Sequence, residues 1–529
     1  MFRKSIYAAL LCGSAFAISG TAFAQDPAPQ AEPEPTEPDA SDTTADAAIA
    51  DAQPVDELQS KIELLQAQVE ALKDALEGVK AAQVKTTPSW KGAPLFEDKG
   101  EGWSFKPRGR IQFDVGFVGN PDNDIVTRNL GFNARARRIR LGAEGTIPGG
   151  FGYKAEVDYA NGNVGFGDVI ITYAPLGKPF NFTIGNHETL NGLEQVSSSR
   201  FLSFVERAAF DDAFINTRRI GLSGGYANKA NTFRFNAGIF SAHTIDASLD
   251  NDGWIAAARA TYSPLMGANQ LHFGANYQHR NFQSNNGALV NPQNGGEPSA
   301  NQRIRYRARP FTQLTDQRFV NTDFFAAKSD DIFGLEFAGI FKSFHIAAEG
   351  QYTVANAYGR GDTLAAGDPL DLFSGASVFV PDGNPSFWGG YAELGYYFTG
   401  ETRGYKNGLW DRTKVLKPFS KGGWGALQFN GRVDYLDLDS SRLKNGCTNN
   451  FTTGVCSGSP VLSKGGQQLG LLASLVWIPE DYMRFYLQYS HAQITGGPFA
   501  ATVKSGSSKP IDERQYGVDT VAARAQVDF

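Results

Sequence analysis

The chain has 529 residues, 41% of them hydrophobic and 12% aromatic, with a formal net charge of −6. Past the N-terminus, no stretch offers the roughly 18 consecutive apolar residues of a membrane helix. A soluble exported protein or a β-barrel remains, with no nucleic-acid partner expected.

Residues 1–24 open with Arg3 and Lys4, continue through an apolar run from Ile6 to Ile18 and end in Ala22, Phe23 and Ala24. This pattern reads as a secretory signal peptide cut after Ala24. Removing it leaves Cys447 and Cys456, with eight residues between them amid Asn, Thr, Gly and Ser. One disulfide across a surface loop is expected there rather than a metal site.

Residues 25–83 hold 14 acidic and 3 basic side chains, whereas 84–529 hold 41 and 44, a net +3. The stretch 25–57, rich in Pro, Ala, Asp and Glu, reads as a disordered linker. From 58 to 83 the spacing changes: Leu58, Ile62, Leu65, Val69, Leu72, Leu76 and Val79 recur at steps of four and three, a coiled-coil seam of three heptads. The alternative is one amphipathic helix on the protein's own surface. Domain 100–529 follows.

From Trp103 the period is two. Trp103, Phe105, Ile111, Phe113, Val115 and Phe117 share one face; Ser104, Lys106, Arg108, Arg110, Gln112 and Asp114 share the other. Fifteen alternating residues suit a tilted membrane strand, greasy outside and wet inside; a soluble sandwich turns the same pattern the other way. Seventeen such segments lie between 103 and 529. Linkers alternate long and short, the short ones being 148–150, 175–179, 342–343 and 478–481, as in outer-membrane barrels with short periplasmic turns. Such barrels close on even strand numbers, and strand direction stays consistent only if 303–309 is not a wall strand. The expected fold is an all-β transmembrane barrel of 16 antiparallel strands with inward-folded loops, preceded by a short α-helical coiled coil.

The excluded segment reads RIRYRAR. In extended backbone Arg303, Arg305, Arg307 and Arg309 leave one side, a ladder for anions on an outer loop folded into the barrel mouth. A merely solvated basic loop is the alternative. Arg108, Arg110, Arg138, Arg140 and Lys154 share the inferred lumen face, and rings of Arg and Lys select anions. The connection 186–217 is long enough to form a constriction; it carries Arg200 and Arg207, and Arg218 and Arg219 follow it. One periplasmic turn is long and basic, with Arg403, Lys406, Arg412, Lys414, Lys417 and Lys421, and reads either as an inner funnel or as a turn without a transport role.

No enzyme constellation emerges. GAEGTIPGG joins two strands and cradles no phosphate; no two histidines sit at metal-ligand spacing with a Cys or carboxylate. Neither metal nor cofactor is expected.

RARRIRLGAEG at 135–145, LEQVSSSRFLSFVERAAFDDAFINTRRIGLS at 193–223, DGWIAAARATYSP at 252–264, RARPFTQLTDQRFVNT at 307–322 and YFTGETRGYK with GALQFNGRVDYLDL resemble the phosphate-selective porin O and P family in order along most of 100–529. The resemblance implies a homotrimer of sixteen-stranded outer-membrane barrels in Gram-negative bacteria, an arginine ladder leading to a central anion site, and passive diffusion of phosphate or polyphosphate. GNHETLNGLE departs from it, placing His187, Glu188 and Leu190 where the family carries a basic, proline-containing stretch; a carboxylate there is expected to repel phosphate. The expected partners are lipid, small anions, two further copies and a periplasmic partner for the coiled coil. The rival readings are a porin of general selectivity, a barrel that tethers the envelope, and a soluble β-sandwich protein.

Overall fold

The computed structural model describes residues 55–86, 89–90, 92–121, 130–162, 164–214, 217–245, 253–282, 303–358, 381–444, 446–447, 460–461, 464–503 and 509–529. The expected signal peptide, residues 25–54 of the expected linker and the Cys447–Cys456 pairing lie outside what is described. The chain forms two units, 1–77 and 78–529. Most of helix α1 (Val55–Thr86) belongs to the first. It begins inside the stretch expected as linker, because Asp56 and Glu57 complement the positive end of the helix dipole. Along it Ile62, Leu65, Val69, Leu72 and Leu76 are all more than half exposed.

The second unit is a closed antiparallel barrel of sixteen wall strands. In chain order these are β1 (Trp103–Val118), β2 (Gly131–Ile147), β3 (Phe151–Asp158), β4 (Gly165–Tyr173), β5 (Phe180–His187), β6 (Arg219–Ala227), β7 (Phe233–Ser241) and β8 (Trp254–Tyr262). They continue as β9 (Asn269–Asn281), β10 (Phe325–Phe341), β11 (Phe344–Ala357), β12 (Ser386–Tyr397), β13 (Ala426–Asp437), β14 (Gln467–Glu480), β15 (Met483–Thr495) and β16 (Gln515–Asp528). Closure comes from β16 pairing with β1, with Val521 opposite Phe117 and Asp528 opposite Arg110. Phe529 and Gly109 exchange backbone hydrogen bonds at 3.0 Å in both directions. A Cβ at Gly109 would lie 2.3 Å from the Phe529 ring, so any side chain here would require that terminal ring to move.

The two faces of β1 divide as alternation requires. Phe113 and Phe117 are 53% exposed and Arg110 only 4%. An apolar face turned out around a charged interior is stable in hydrocarbon and not in water, which removes the soluble sandwich. No helix among the described residues is long and apolar enough to span a membrane.

Residues 303–309 stay off the wall, as strand parity requires. Arg303–Ile304 pairs only with the start of β10, and Arg307–Ala308 pairs with Val320–Asn321 in the same connection. Tyr306 and Ala308 are buried, the Tyr306 hydroxyl donating to Asp330 Oδ2 at 2.6 Å. The connection therefore folds inward. The interior is not uniformly wet: Phe204, Phe210, Tyr306, Phe319, Phe325, Phe387 and Leu436 form a dry cluster between the inward loops and strands β10 to β16. Space for water is left on the side of β1 to β4.

Candidate anion path

Four pieces of chain build the path. Strands β1 to β4 supply a basic wall. The connection 188–218 enters from outside with two short helices, α2 (Leu193–Val196) and α3 (Ala209–Ala213). The 303–322 segment descends over it. From the periplasmic end, the basic turn sends in a hairpin of Tyr405–Lys406 and Leu409–Trp410.

The 188–218 loop is anchored by groups the sequence reading did not single out. Arg432 on β13 reaches Glu194 Oε1 and Glu393 Oε2, both at 2.5 Å. The backbone N–H of Glu194 donates to Glu349 at 2.8 Å, and that of Val205 to Gln488 at 2.9 Å. Arg207, expected to face anions, donates instead to the carbonyls of Glu194, Gln195 and Ser197 at 2.9, 3.1 and 2.9 Å. It shapes the loop while also bordering the path.

Two cavities follow one another. The outer, about 430 Å³, is bordered by Arg137, Arg138, Arg140, Arg207, Arg218, Arg309 and Arg318 against Glu188, Glu206, Asp211 and Asp212. The inner, about 400 Å³, brings together Arg108, Arg110, Arg138, Arg140, Lys154, Arg200, Arg207, Arg218 and Lys406 against Glu156, Asp168, Glu188 and Asp411. Both carry a cation excess. They share Arg138, Arg140, Glu188, Arg207 and Arg218, so one opens against the other.

Ion pairing sorts these cations. Arg140 binds Glu156 at 2.9 Å and Asp158 at 2.8 Å. Arg218 binds Asp168 at 2.5 Å and Glu188 at 2.8 Å, and Lys154 also pairs with Asp168. Arg108 pairs with Glu144 and lies 3.7 Å from Glu156. Arg200 reaches Asp528 at 3.5 Å. Arg110, Arg138, Arg207 and Lys406 have no carboxylate partner among the described residues; Arg207 is spent on backbone carbonyls and Lys406 is exposed, which leaves Arg110 and Arg138 as buried guanidiniums of the wall. Arg110 donates to Ser199 Oγ at 2.6 Å and Ser198 Oγ at 3.2 Å, and Arg138 to Gln112 Oε1 at 2.7 Å. The Nε of each is buried without a partner.

The structure places the expected site residues unevenly. Of the three ladder arginines whose side chains are described, Arg309 borders the outer cavity; Arg305 lies 4.2 Å over the Phe324 ring, and neither it nor Arg307 borders either cavity. The Arg303 side chain lies outside what is described. Arg305, Arg307 and Arg309 do alternate with the buried Tyr306 and Ala308, but the backbone pairing is broken into two-residue pieces, and of the three only Arg309 reaches the cavity wall. Arg219 borders neither cavity and donates to Ala242 O at 2.8 Å. The basic turn is no uniform funnel: Lys406 enters the inner cavity, Arg403 and Arg412 brace the hairpin, and Lys414, Lys417 and Lys421 are exposed and border neither cavity. Glu188, expected to repel anions, has its charge engaged by Arg218, while His187 turns to Ser223 Oγ at 2.7 Å.

Missed were Arg137 and Arg318, and the carboxylates Glu156, Asp168 and Glu206. A bulge on β2 sets Gln112 opposite Arg138 and Phe113 opposite Ala136, leaving Arg137 unpaired in register. Consecutive Arg137 and Arg138 thereby both face the lumen, which strict alternation forbids. Arg137 binds Glu206 at 2.6 Å. Arg318 lies on the connection with its guanidinium near Asp212, and burial, followed by the repulsion of Arg309, Arg307 and Arg305, brings its pKa down to about 10. For Glu156 a signal was present, since KAEVD puts it on the same strand face as Lys154.

Residues 105–527 match the family model described as phosphate-selective porin O and P. An uncharacterized protein of Caulobacter vibrioides is 34% identical over 460 residues, 85% of this chain and 78% of that one. Porin O of Pseudomonas aeruginosa is 28% identical over 320 residues, covering 58% and 66%. Among solved structures, an anion-selective porin from Comamonas acidovorans aligns at TM-score 0.42 and 10% identity over 81% of this chain and all of that one. OprB of Pseudomonas putida aligns at TM-score 0.44 and 10% identity, over 82% and 95%.

Proposed function

Because the chain belongs to the phosphate-selective porin O and P family and is an outer-membrane porin, a channel rather than an enzyme, we propose that it passes small anions, phosphate or polyphosphate among them, by passive diffusion. The observation that carries this reading is the pair Arg110 and Arg138, two lumen guanidiniums with no carboxylate partner at the border of a water-accessible cavity. An anion leaving the outer cavity loses part of its water shell and accepts hydrogen bonds from these forks. The paired cations around them keep the field positive without adding a deep trap, so the anion leaves again. A porin of general selectivity has no use for unpaired buried cations, whose desolvation is costly without an incoming anion.

We also read the protein as a homotrimer. Strands β3 to β8 have eight or nine residues each, at or below the ~9–11 that a strand tilted by ~45° needs to cross the hydrocarbon. Facing neighbouring copies spares that sector the mismatch. The exposed seam of α1, with Ile62, Val69 and Leu76 at one heptad position and Leu65 and Leu72 at the other, fits association with its own copies in the periplasm. A disulfide between Cys447 and Cys456 on an outer loop belongs to the same reading.

The test is a planar-bilayer recording of the purified protein. Under a potassium chloride gradient the reversal potential takes the sign of anion preference, and phosphate or pyrophosphate lowers the chloride current at millimolar concentration. Cation preference, or chloride current indifferent to both, contradicts the reading.

A further inference from the structure

The long periplasmic turn between β12 and β13 has a second half that the anion path does not use. Residues 416–424 read LKPFSKGGW. Leu416 is 60% exposed and Phe419 58%, and Trp424, at 84%, is the most exposed large apolar residue among those described in the barrel unit. Lys417 and Lys421 are exposed among them and have no ion-pair partner among the described residues. This is an ordered lip. Phe419–Lys421 forms a 3-10 turn closed by Gly422, whose φ of +75° suits glycine, and Gly425 donates its N–H to Lys417 O at 2.9 Å. Ser420 N–H donates to Glu480 Oε1 at 2.5 Å.

The lip turns outward. Its Phe419 ring lies 6.2 Å from Trp477, which stacks on Phe485 at 5.3 Å, and Trp477 Nε1 donates to Trp424 O at 2.8 Å. Trp477 and Phe485 alternate with buried residues on the outer faces of β14 and β15, so the apolar edge of the lip continues the membrane-facing surface down to its periplasmic rim. Around the sixteen-strand ring the lip stands across from β5 and β6, the middle of the short-strand sector, on the side whose strands have twelve to fourteen residues and reach across a bilayer.

Aromatic rings with lysines at that height fit one surface: Trp and Phe seat at the boundary of acyl chains and headgroups, and ammonium groups meet phosphates there. We propose that residues 416–424 hold an anionic glycerophospholipid of the periplasmic leaflet, with Lys417 and Lys421 on the headgroup phosphate and Leu416, Phe419 and Trp424 along the upper acyl chains. The three turn lysines that leave the lumen thereby divide: two serve the lipid, and Lys414 precedes the lip.

The experiment uses the full-length purified protein in detergent, with phosphatidylglycerol or phosphatidylcholine of identical acyl chains added and bound lipid counted by native mass spectrometry. Wild-type protein retains phosphatidylglycerol at least about fivefold better than phosphatidylcholine, and raising salt from 50 to 500 mM erodes the difference. K417A/K421A brings the two lipids within about twofold, with the heat-modifiable gel mobility and single-channel conductance of wild type; W424A lowers retention of both. Equal retention of the two lipids by wild type, or an undiminished phosphatidylglycerol preference in K417A/K421A, overturns the proposal. The channel measurements above stand or fall separately.

Discussion

Trp410 on the periplasmic hairpin donates its backbone N–H to the Ser197 hydroxyl of the outer loop at 3.0 Å. Segments entering from opposite ends of the barrel thus meet, and both residues border the inner cavity where they touch. Arg403 strengthens the junction, donating to Ser203 Oγ at 2.8 Å and Phe201 O at 2.9 Å with its guanidinium 4.4 Å from the Trp410 ring centroid. Replacing it by Ala removes all three contacts at once. The expected outcome for R403A is a larger and noisier single-channel conductance, with reversal potential little changed, because Arg403 does not border the inner cavity.

The anchor on the opposite wall predicts a stability effect. Without Arg432, Glu194 and Glu393 stay buried and uncompensated, and breaking such a pair costs about 3–5 kcal/mol. In R432A that cost falls on the loop rather than on the sixteen-strand ladder. Trypsin added to the detergent-solubilised variant is expected to cleave after Arg200 or Arg207, which the wild type resists, while the barrel keeps its folded gel mobility.

A local pH dependence arises just beyond β13. Asp439 lies in a loop with Oδ1 buried and without a hydrogen-bond partner. Burial, with Asp437 and Asp512 nearby, raises its pKa from 3.8 to about 6 although Lys464 opposes the shift. A carboxyl whose folded pKa lies above its unfolded one stabilises less as pH rises: the folded loop binds the extra proton between about pH 4 and 6, and above that range a charged group is held buried. Amide exchange around 438–444, corrected for the intrinsic rate, is expected to slow on moving from pH 7 to pH 5, and D439N should lose that dependence.

Much of the wall was legible because alternation is a direct consequence of the pleat. Phe113 and Arg110 cannot share a face, and strand parity alone was enough to remove 303–309 from the barrel. What alternation does not carry is its own interruption. The bulge at Arg137 and the broken pairing through Arg305 and Tyr306 are set by contacts with Glu206 and Asp330, distant in sequence. Charge compensation is equally invisible along the chain. The row of lumen cations in the sequence holds no mark that Arg140 and Lys154 are paired while Arg110 and Arg138 are not, since Glu156, Asp158 and Asp168 come from neighbouring strands. Lys417 and Lys421 look like pore residues for the same reason: basic composition says nothing about which side of a turn leaves the lumen.

The account turns on Arg110 and Arg138, so the most direct measurement is the zero-current potential of R110Q/R138Q against wild type in the same potassium chloride gradient. Two positive charges are lost from the border of a partly desolvated cavity, where unit charges interact several-fold more strongly than in bulk water. The anion-to-cation permeability ratio is expected to fall at least about fivefold, with conductance retained as a sign of an intact channel. A double variant that conducts and keeps the wild-type reversal potential would contradict the claim that these two guanidiniums select the anion.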